Sequence, residues 1–254
     1  MSLVRVIPTL LLQGKGLVKT VNFKNPKYLG DPINAVRIYN EKEVDELVIL
    51  DIDASKEKRE PNYRWIKDIV SESFMPVGYG GGINSIEQIK KLFDTGIEKI
   101  ILNTNSFNYD FITKASLLYG EQSVVVCIDA KKNFFGGYSV YSGSGSVKHK
   151  ISPDEFAKNV VESGAGEIII QSVDNEGKMG GYDLQLTKMV SQSVKVPVVA
   201  SGGAGNLEHL KEAIQIGGAS AVTAGSLFVY KGKHNAVLIN YPSQEELKNI
   251  INLK

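Results

Sequence analysis

Two kinds of segment alternate along the chain. Short runs rich in Val and Ile are separated by longer stretches in which apolar residues recur at helical spacing, as at residues 85–93 and 207–216. Short runs that are apolar on both faces are typical of parallel strands covered by helices. Eight strands that alternate with helices predict a (βα)8 TIM barrel. The eight runs are residues 4–11, 47–52, 75–79, 99–102, 124–128, 167–170, 196–200 and 219–223.

An internal repeat supports one barrel made of two related half-barrels. Residues 46–53 resemble residues 167–174, and the same offset of 121 residues joins Phe107 to Phe228. Because two halves of four strands fill the chain, we expect a single domain over residues 1–254, with function at the carboxyl ends of the strands. The competing fold is an open doubly wound sheet. It should carry Gly-x-Gly-x-x-Gly after the first strand, and residues 14–19 lack the third glycine.

Composition and charge exclude several classes of protein. With 43% hydrophobic and 22% charged residues, the chain is neither disordered nor fibrous. The net charge of +1 gives no overall electrostatic reason to expect nucleic acid or a membrane as partner. Without a signal-peptide pattern we expect a cytoplasmic location. We expect no metal and no cofactor, because the three histidines are scattered and Cys127 lies in an apolar run typical of a buried structural thiol.

Glycine-rich turns follow the third and seventh predicted strands and then open helices. Backbone N–H groups at such turns bind anions, because glycine lets the backbone approach closely and the helix N-terminus is positive. The alternative is that the glycines only permit tight turns. Repetition in both halves favours two phosphate sites and a long ligand that spans the barrel mouth. The candidates are Gly81, Gly82, Asn103 and Thr104 in the first half, and Gly202, Gly203, Gly225 and Ser226 in the second.

Charged residues begin four of the predicted strands: Arg5, Glu46, Lys99 and Glu167. If these side chains point inward, two cations and two anions meet at the bottom of the barrel, where mutual pairing offsets the cost of burial. The alternative is four solvated residues at a rim. The residues alone favour the rim slightly, because charges at strand starts are common.

Asp129 is the strongest candidate for a catalytic residue. It directly follows the buried run 124–128, where a carboxyl group can act as general acid or base. The alternative is a purely structural hydrogen-bonding role. Asp51 and Asp53, at the end of the second strand, are candidates either for supporting the residues that contact a ligand or for fixing a loop.

Several long motifs in the correct order make the chain resemble the cyclase subunit of imidazole glycerol phosphate synthase. The resemblance covers nearly the whole chain and implies a (βα)8 barrel that docks a glutaminase subunit at its lower face and receives ammonia through the barrel. The motifs are residues 5–8, 18–23, 30–32, 45–55, 80–83, 128–131, 164–168 and 200–205.

The resemblance also implies roles for individual residues. The four charged residues match the family's salt-bridge ring, or ammonia gate, at the barrel entrance. Glu98 matches an acidic position near the glutaminase interface, and Lys19 matches the lysine of the mobile first loop. Gly177 joins the phosphate candidates, and the two phosphate sites are consistent with a bisphosphorylated substrate.

The departures from the family lie at the upper end. The family carries catalytic aspartates at the ends of strands one and five, and this chain keeps Asp129 but has Leu11 at the first position. Gln171 stands where the family usually has Thr. Glu176, Lys178 and Gly180 alter the loop after strand six.

Because the departures from the family lie at the upper end alone, they indicate a paralogue that still receives ammonia and supplies it to another reaction. The resemblance suggests a glutamine-dependent amidation that forms acetamidino sugars for surface polysaccharides, with a separate sugar amidotransferase as a further partner. One alternative is a working cyclase subunit in histidine biosynthesis. Another is a noncatalytic scaffold that activates a glutaminase by docking.

Overall fold

The computed structural model describes residues 4–232 and 234–251, so residues 1–3, 233 and 252–254 of the predicted domain lie outside the described residues. Eight parallel strands pair in chain order, and the first pairs with both the second and the eighth, which closes a barrel. This confirms the predicted TIM barrel. The barrel strands are Arg5–Gln13, Leu47–Asp51, Val77–Gly80, Lys99–Leu102, Val124–Lys132, Glu167–Ser172, Val198–Ser201 and Ala221–Ala224.

Helices cover the outside of the barrel, and their starts repeat between the two halves. Asn62 and Asp183, 121 residues apart, each accept a hydrogen bond from the backbone N–H three residues on, and Ser85 and Asn206 do the same. These side chains satisfy amides that a helix N-terminus leaves free. The helices are Pro32–Glu41, Tyr63–Val70, Ile86–Phe93, Tyr109–Tyr119, Pro153–Glu162, Leu184–Ser191, Leu207–Gln215, Ser226–Val229 and Gln244–Ile251.

Apolar side chains fill the inside of the barrel as well as the layer between barrel and helices. Alternate residues of each strand point inward, and Cys127 is one of them, buried and free of any disulfide. Burial raises the pKa of its thiol well above the usual value, so it packs as an apolar group. The other members of this interior cluster are Ile7, Val48, Ile101, Val125, Ile169, Val199 and Ala221.

Two strand boundaries differ from the pattern because of proline. The third and seventh strands begin at Val77 and Val198, after Pro76 and Pro197, since proline has no N–H to give to a strand ladder. The first and fifth strands instead extend beyond the predicted ends. Each continues upward into an antiparallel hairpin that the apolar pattern does not predict.

These hairpins lie at the upper face, where the carboxyl ends of the strands meet. The first-loop hairpin consists of Gly16–Val21 and Lys24–Gly30, and the fifth-loop hairpin of Tyr138–Ser142 and Val147–Lys148. A two-stranded ladder, Tyr230–Lys231 with Ala236–Val237, follows the last barrel strand. Within the described ranges, no helix has the length and apolar character needed to cross a bilayer.

Candidate functional site

The four charges that begin strands form a closed ring at the lower end of the barrel. Arg5 donates to both Glu46 and Glu167. Lys99 Nζ lies 2.8 Å from a carboxylate oxygen of each of the same two residues. The two glutamate side chains are only 7% exposed, whereas Arg5 and Lys99 are 29% and 21% exposed. The solvated-rim interpretation, slightly favoured by the residues alone, is therefore wrong.

Pairing in the ring outweighs the cost of burial. Burial alone would raise the pKa of Glu167, but the hydrogen bond from Arg5 and the charge of Lys99 hold it below the usual value. The pKa of Arg5 is raised in turn, because its bonds to the glutamates outweigh desolvation. Arg5 and Glu167 are thus both charged at neutral pH, and the four ion pairs join the first, second, fourth and sixth strands at this end.

Glu98 is exposed beside the ring, as its neighbour on the chain, and its backbone N–H donates to the carbonyl of Val77. This places the side chain at the lower face, on the side away from the barrel mouth. Its contact with a docked glutaminase stays a prediction.

Two cavities open at the upper end, one over each half of the barrel. The first-half cavity measures about 460 Å³ and the second-half cavity about 90 Å³. Leu11, Phe23, Leu50, Cys127 and Asp129 line both. The structure brings the phosphate candidates to these walls, with Gly81, Gly82, Asn103 and Thr104 on the first cavity, and Gly177, Gly202, Gly203, Gly225 and Ser226 on the second.

Backbone conformation also explains why glycine occupies the two glycine-rich turns, which we call the first-half and second-half cradles. Gly82 has φ +72° and Gly203 has φ +111°, in the region that side chains disfavour, and a Cβ on either would overlap a neighbouring carbonyl. The glycines are thus required for the turns whether or not the turns bind phosphate. The prediction that they bind phosphate stays a prediction.

Asp129 lies at the centre of the mouth, buried on the wall shared by both cavities. Burial raises the pKa of its carboxyl to about 7, against the lowering effects of a hydrogen bond from Asn103 and the charge of Lys131. A carboxyl with this pKa can both give and take a proton at neutral pH. The Cys127 thiol lies 3.9 Å from its Oδ1.

Leu11 lies on the same shared wall and is 9% exposed. Its side chain therefore faces the cavity and not the helical shell. Leucine exchanges no proton, so Asp129 has no acidic counterpart at the end of the first strand.

A different carboxylate enters the second-half cavity. Glu176 accepts a hydrogen bond from the Thr20 hydroxyl at 2.8 Å and another from the Phe23 N–H at 2.9 Å. Asn22 donates to the carbonyls of Val173 and Asp174. These contacts hold the first-loop hairpin against the loop after strand six. Glu176 therefore anchors this hairpin, a role that its position in the sequence does not predict.

Lys19 is carried into the second-half cavity by the same hairpin. It is buried, its Nζ donates to the Thr9 carbonyl at 2.8 Å, and a Cβ on Gly225 would overlap the ammonium. Burial lowers the pKa of Lys19 to about 8, partly offset by the charge of Glu176. The predicted loop lysine is therefore packed within the mouth.

The residues that depart from the family at the upper end differ in whether they line a cavity. Gln171 lines the second cavity, where its Oε1 accepts from the Ser201 hydroxyl. Lys178 and Gly180 line neither cavity. Of the three changes in the loop after strand six, only Glu176 thus reaches the mouth.

Asp51 fixes the loop after the second strand, as its position predicts. It accepts from the N–H groups of Asp53 and Ala54 and forms a bidentate ion pair with Arg59 at 2.8 Å. This bonding raises the pKa of Arg59, despite some desolvation. Sequence reasoning missed Arg59 and its neighbours Lys56 and Lys58, which line the first cavity. The basic run that follows the second strand is the signal that could have found them.

No cluster of three or more His, Cys, Asp or Glu side chains suited to a metal ion occurs among residues 4–232 and 234–251. The mouth's own side chains support proton transfer at Asp129 and binding of anions by backbone, amide and cationic groups.

Comparisons with known proteins agree with this geometry. The model of a family described as histidine biosynthesis protein matches residues 5–235. A Pseudomonas aeruginosa protein provisionally named imidazole glycerol phosphate synthase subunit hisF2 is 50% identical over 244 residues, 96% of this chain and 97% of its own. A Leptospira interrogans protein, provisionally named subunit HisF of the same enzyme, is also 50% identical, over 95% and 96% of the two chains. A Vibrio vulnificus protein, provisionally named subunit hisF3, is 47% identical over 98% and 96%.

Proposed function

The chain belongs to the histidine biosynthesis protein family and is related to the cyclase subunit of imidazole glycerol phosphate synthase; from that premise we propose that it docks a glutaminase and channels ammonia for an amidation. The observation that carries the proposal is the contrast between the two ends of the barrel. The charged ring is complete at the lower end, while at the upper end Leu11 lines the same two cavities as Asp129.

The lower end supports docking and channelling. The ring closes the barrel axis with four charges, and the interior cluster above it is apolar. An ammonium ion entering that interior would lose its hydration, whereas neutral ammonia crosses apolar surroundings at much lower cost. Ammonia released by a glutaminase at the lower face would thus reach the mouth in its nucleophilic form once ion pairs of the ring open.

The upper end supports a reaction other than cyclisation. Loss of a general acid or base typically lowers a rate by about 10² to 10⁴, and Leu11 occupies the wall where a second proton-transfer group would face Asp129. The ammonia would instead serve glutamine-dependent amidation of an acetamido sugar for surface polysaccharide, with a separate sugar amidotransferase and a phosphorylated ligand at the mouth.

A working cyclase is the second candidate, and Asp129 favours it. Its pKa of about 7 suits a single group that both gives and takes a proton, and the Glu176 carboxylate lies on a wall of the second cavity. On this candidate the chain would serve histidine biosynthesis.

The test is to mix the purified chain with a glutaminase subunit and to measure glutamine hydrolysis and cyclisation of the family's bisphosphorylated ribonucleotide in parallel. The proposal predicts stimulated hydrolysis and negligible cyclisation with ammonium salts. Leu11→Asp, which restores the missing carboxyl group, should raise cyclisation at least tenfold, and the matched variant Leu11→Asn should not.

Three results would contradict the proposal. Cyclisation by the unmodified chain at a rate that Asp129→Asn abolishes would establish the working cyclase. Failure to stimulate any glutaminase would remove the docking partner. If Glu46→Ala and Lys99→Ala keep stimulation and release no additional free ammonia, the chain is a scaffold that activates by docking alone.

A further inference from the structure

The two cavities at the mouth differ in the charged side chains on their walls. Apart from the shared Asp129, the first-half cavity is lined by three cations and one carboxylate, whereas the second-half cavity is lined by one cation and one carboxylate. The larger cavity thus carries a surplus of positive charge and the smaller one does not. The two phosphate cradles that the repeat predicts are electrostatically unequal.

The surplus in the first-half cavity comes from two lysines. Arg59 is occupied, since it pairs with Asp51 and also with Glu57, at 2.6 Å. Lys56 and Lys58 are exposed on the cavity wall, and neither forms an ion pair with any residue in the described part of the chain. Two cations without counter-charges at the edge of a glycine-lined cavity attract an anion with more than one negative charge.

Polar donors are available on the same wall. The Asn105 Nδ2 is buried and has no hydrogen-bond partner among the described residues, and Asn105 lines this cavity. A buried amide donor without a partner costs free energy that an accepting ligand oxygen would recover. Thr104 and Asn103 lie beside it on the first-half wall.

The second-half cradle is partly occupied by the protein's own charged groups. The Lys19 ammonium lies against the backbone of Gly225 and is held by the Thr9 carbonyl. The Glu176 carboxylate lies on the same cavity wall and offsets the charge of Lys19. A dianionic phosphate placed there would meet the carboxyl groups of both Glu176 and Asp129.

We propose that the mouth binds an organic diphosphate that is charged at one end only, with its diphosphate in the first-half cavity and its uncharged end towards Asp129. This rests on the proposed phosphorylated ligand and specifies its class. It also replaces the expectation of phosphate groups at both ends. Lys56 and Lys58 are the specificity-determining residues, and Glu176 excludes a second anion.

The experiment is isothermal titration of the unmodified chain at low salt with inorganic pyrophosphate and, separately, with fructose 1,6-bisphosphate, whose phosphates lie at opposite ends. The proposal predicts one pyrophosphate site per chain and weaker binding of the bisphosphate. Lys56→Ala combined with Lys58→Ala should weaken pyrophosphate binding about tenfold or more, because two nearby cations are lost. The matched control, Lys67→Ala with Lys188→Ala, removes two exposed helix lysines that line neither cavity and should leave binding unchanged.

One further variant tests the second cradle. Glu176→Gln should allow a second pyrophosphate to bind beside Lys19. Two sites in the unmodified chain, tighter binding of the bisphosphate, or equal losses in the two double-lysine variants would overturn the proposal. These titrations need no glutaminase, so their failure leaves the docking and channelling results unaffected, and the reverse is also true.

Discussion

Replacing Lys99 by methionine removes one cation from the lower ring while keeping nearly the same side-chain length. In the unmodified chain its Nζ holds both Glu46 and Glu167 at 2.8 Å. After the substitution only Arg5 remains to balance two buried carboxylates. The variant should therefore be less stable, since an unpaired buried charge costs more than an exposed one.

The expected loss is about 2 kcal/mol in the free energy of unfolding. Removing one partner of a fully buried ion pair costs about 3–5 kcal/mol, and removing one from an exposed pair costs about 0–1 kcal/mol. The ring lies between these limits, because the carboxylates are 7% exposed and Lys99 is 21% exposed. Arg5, which still contacts both glutamates, moderates the loss.

Urea unfolding at pH 7 measures this loss, with Lys90→Met as the matched control. Lys90 pairs with Asp94 at 2.9 Å on an exposed helix face, where both side chains are more than 60% exposed. That substitution should cost about 0.3–0.5 kcal/mol. A loss in Lys99→Met no greater than in Lys90→Met would refute the description of the ring as a desolvated network.

The pH dependence supplies a second check of the same prediction. Burial raises the pKa of Glu167, but Arg5 and Lys99 lower it by more, so that the pKa lies below its usual value. Its contribution to stability is therefore present above the ordinary glutamate pKa of about 4.3 and is lost as the pH falls through the lower folded-state value. The difference between the unmodified chain and Lys99→Met should shrink at about pH 3. A difference that stays constant from pH 7 to pH 3 would contradict this account.

Three further predictions concern the upper end. Asp129→Asn should raise the Tm, and the gain should grow between about pH 4 and pH 7, because burial raises the carboxyl pKa to about 7 and its ionisation then opposes folding; a larger gain at low pH would contradict this. Glu176→Ala removes two hydrogen bonds to the first-loop hairpin, so limited proteolysis of that hairpin should accelerate about tenfold or more, and an unchanged rate would show that other contacts hold it. Gly203→Ala should lower the free energy of unfolding in urea by about 2 kcal/mol or more, because its φ is +111° and a Cβ would overlap the Gly181 carbonyl. Gly180→Ala, with open space around it, should change that free energy by less than about 0.5 kcal/mol, and equal effects would refute the steric reasoning.

Residue patterns within the chain predict the barrel and the positions of its cradles. Continuous apolar runs identify the strands because a parallel strand is buried on both faces, and the repeat at 121 residues extends to helix starts such as Asn62 and Asp183. The cradle glycines can also be identified from the sequence, because the positive φ at Gly82 and Gly203 favours glycine over any other residue at those positions. The sequence also shows which positions depart from the family, Leu11 above all.

Tertiary structure alone decides how distant side chains meet. Arg5 contacts partners 41 and 162 residues away, and only these contacts distinguish a paired ring from a solvated rim. The anchoring of the Lys19 hairpin by Glu176 likewise joins segments more than 150 residues apart. The physical reason is that charge, desolvation and free volume depend on distances in space, whereas strand patterns and turn conformations depend on neighbours along the chain.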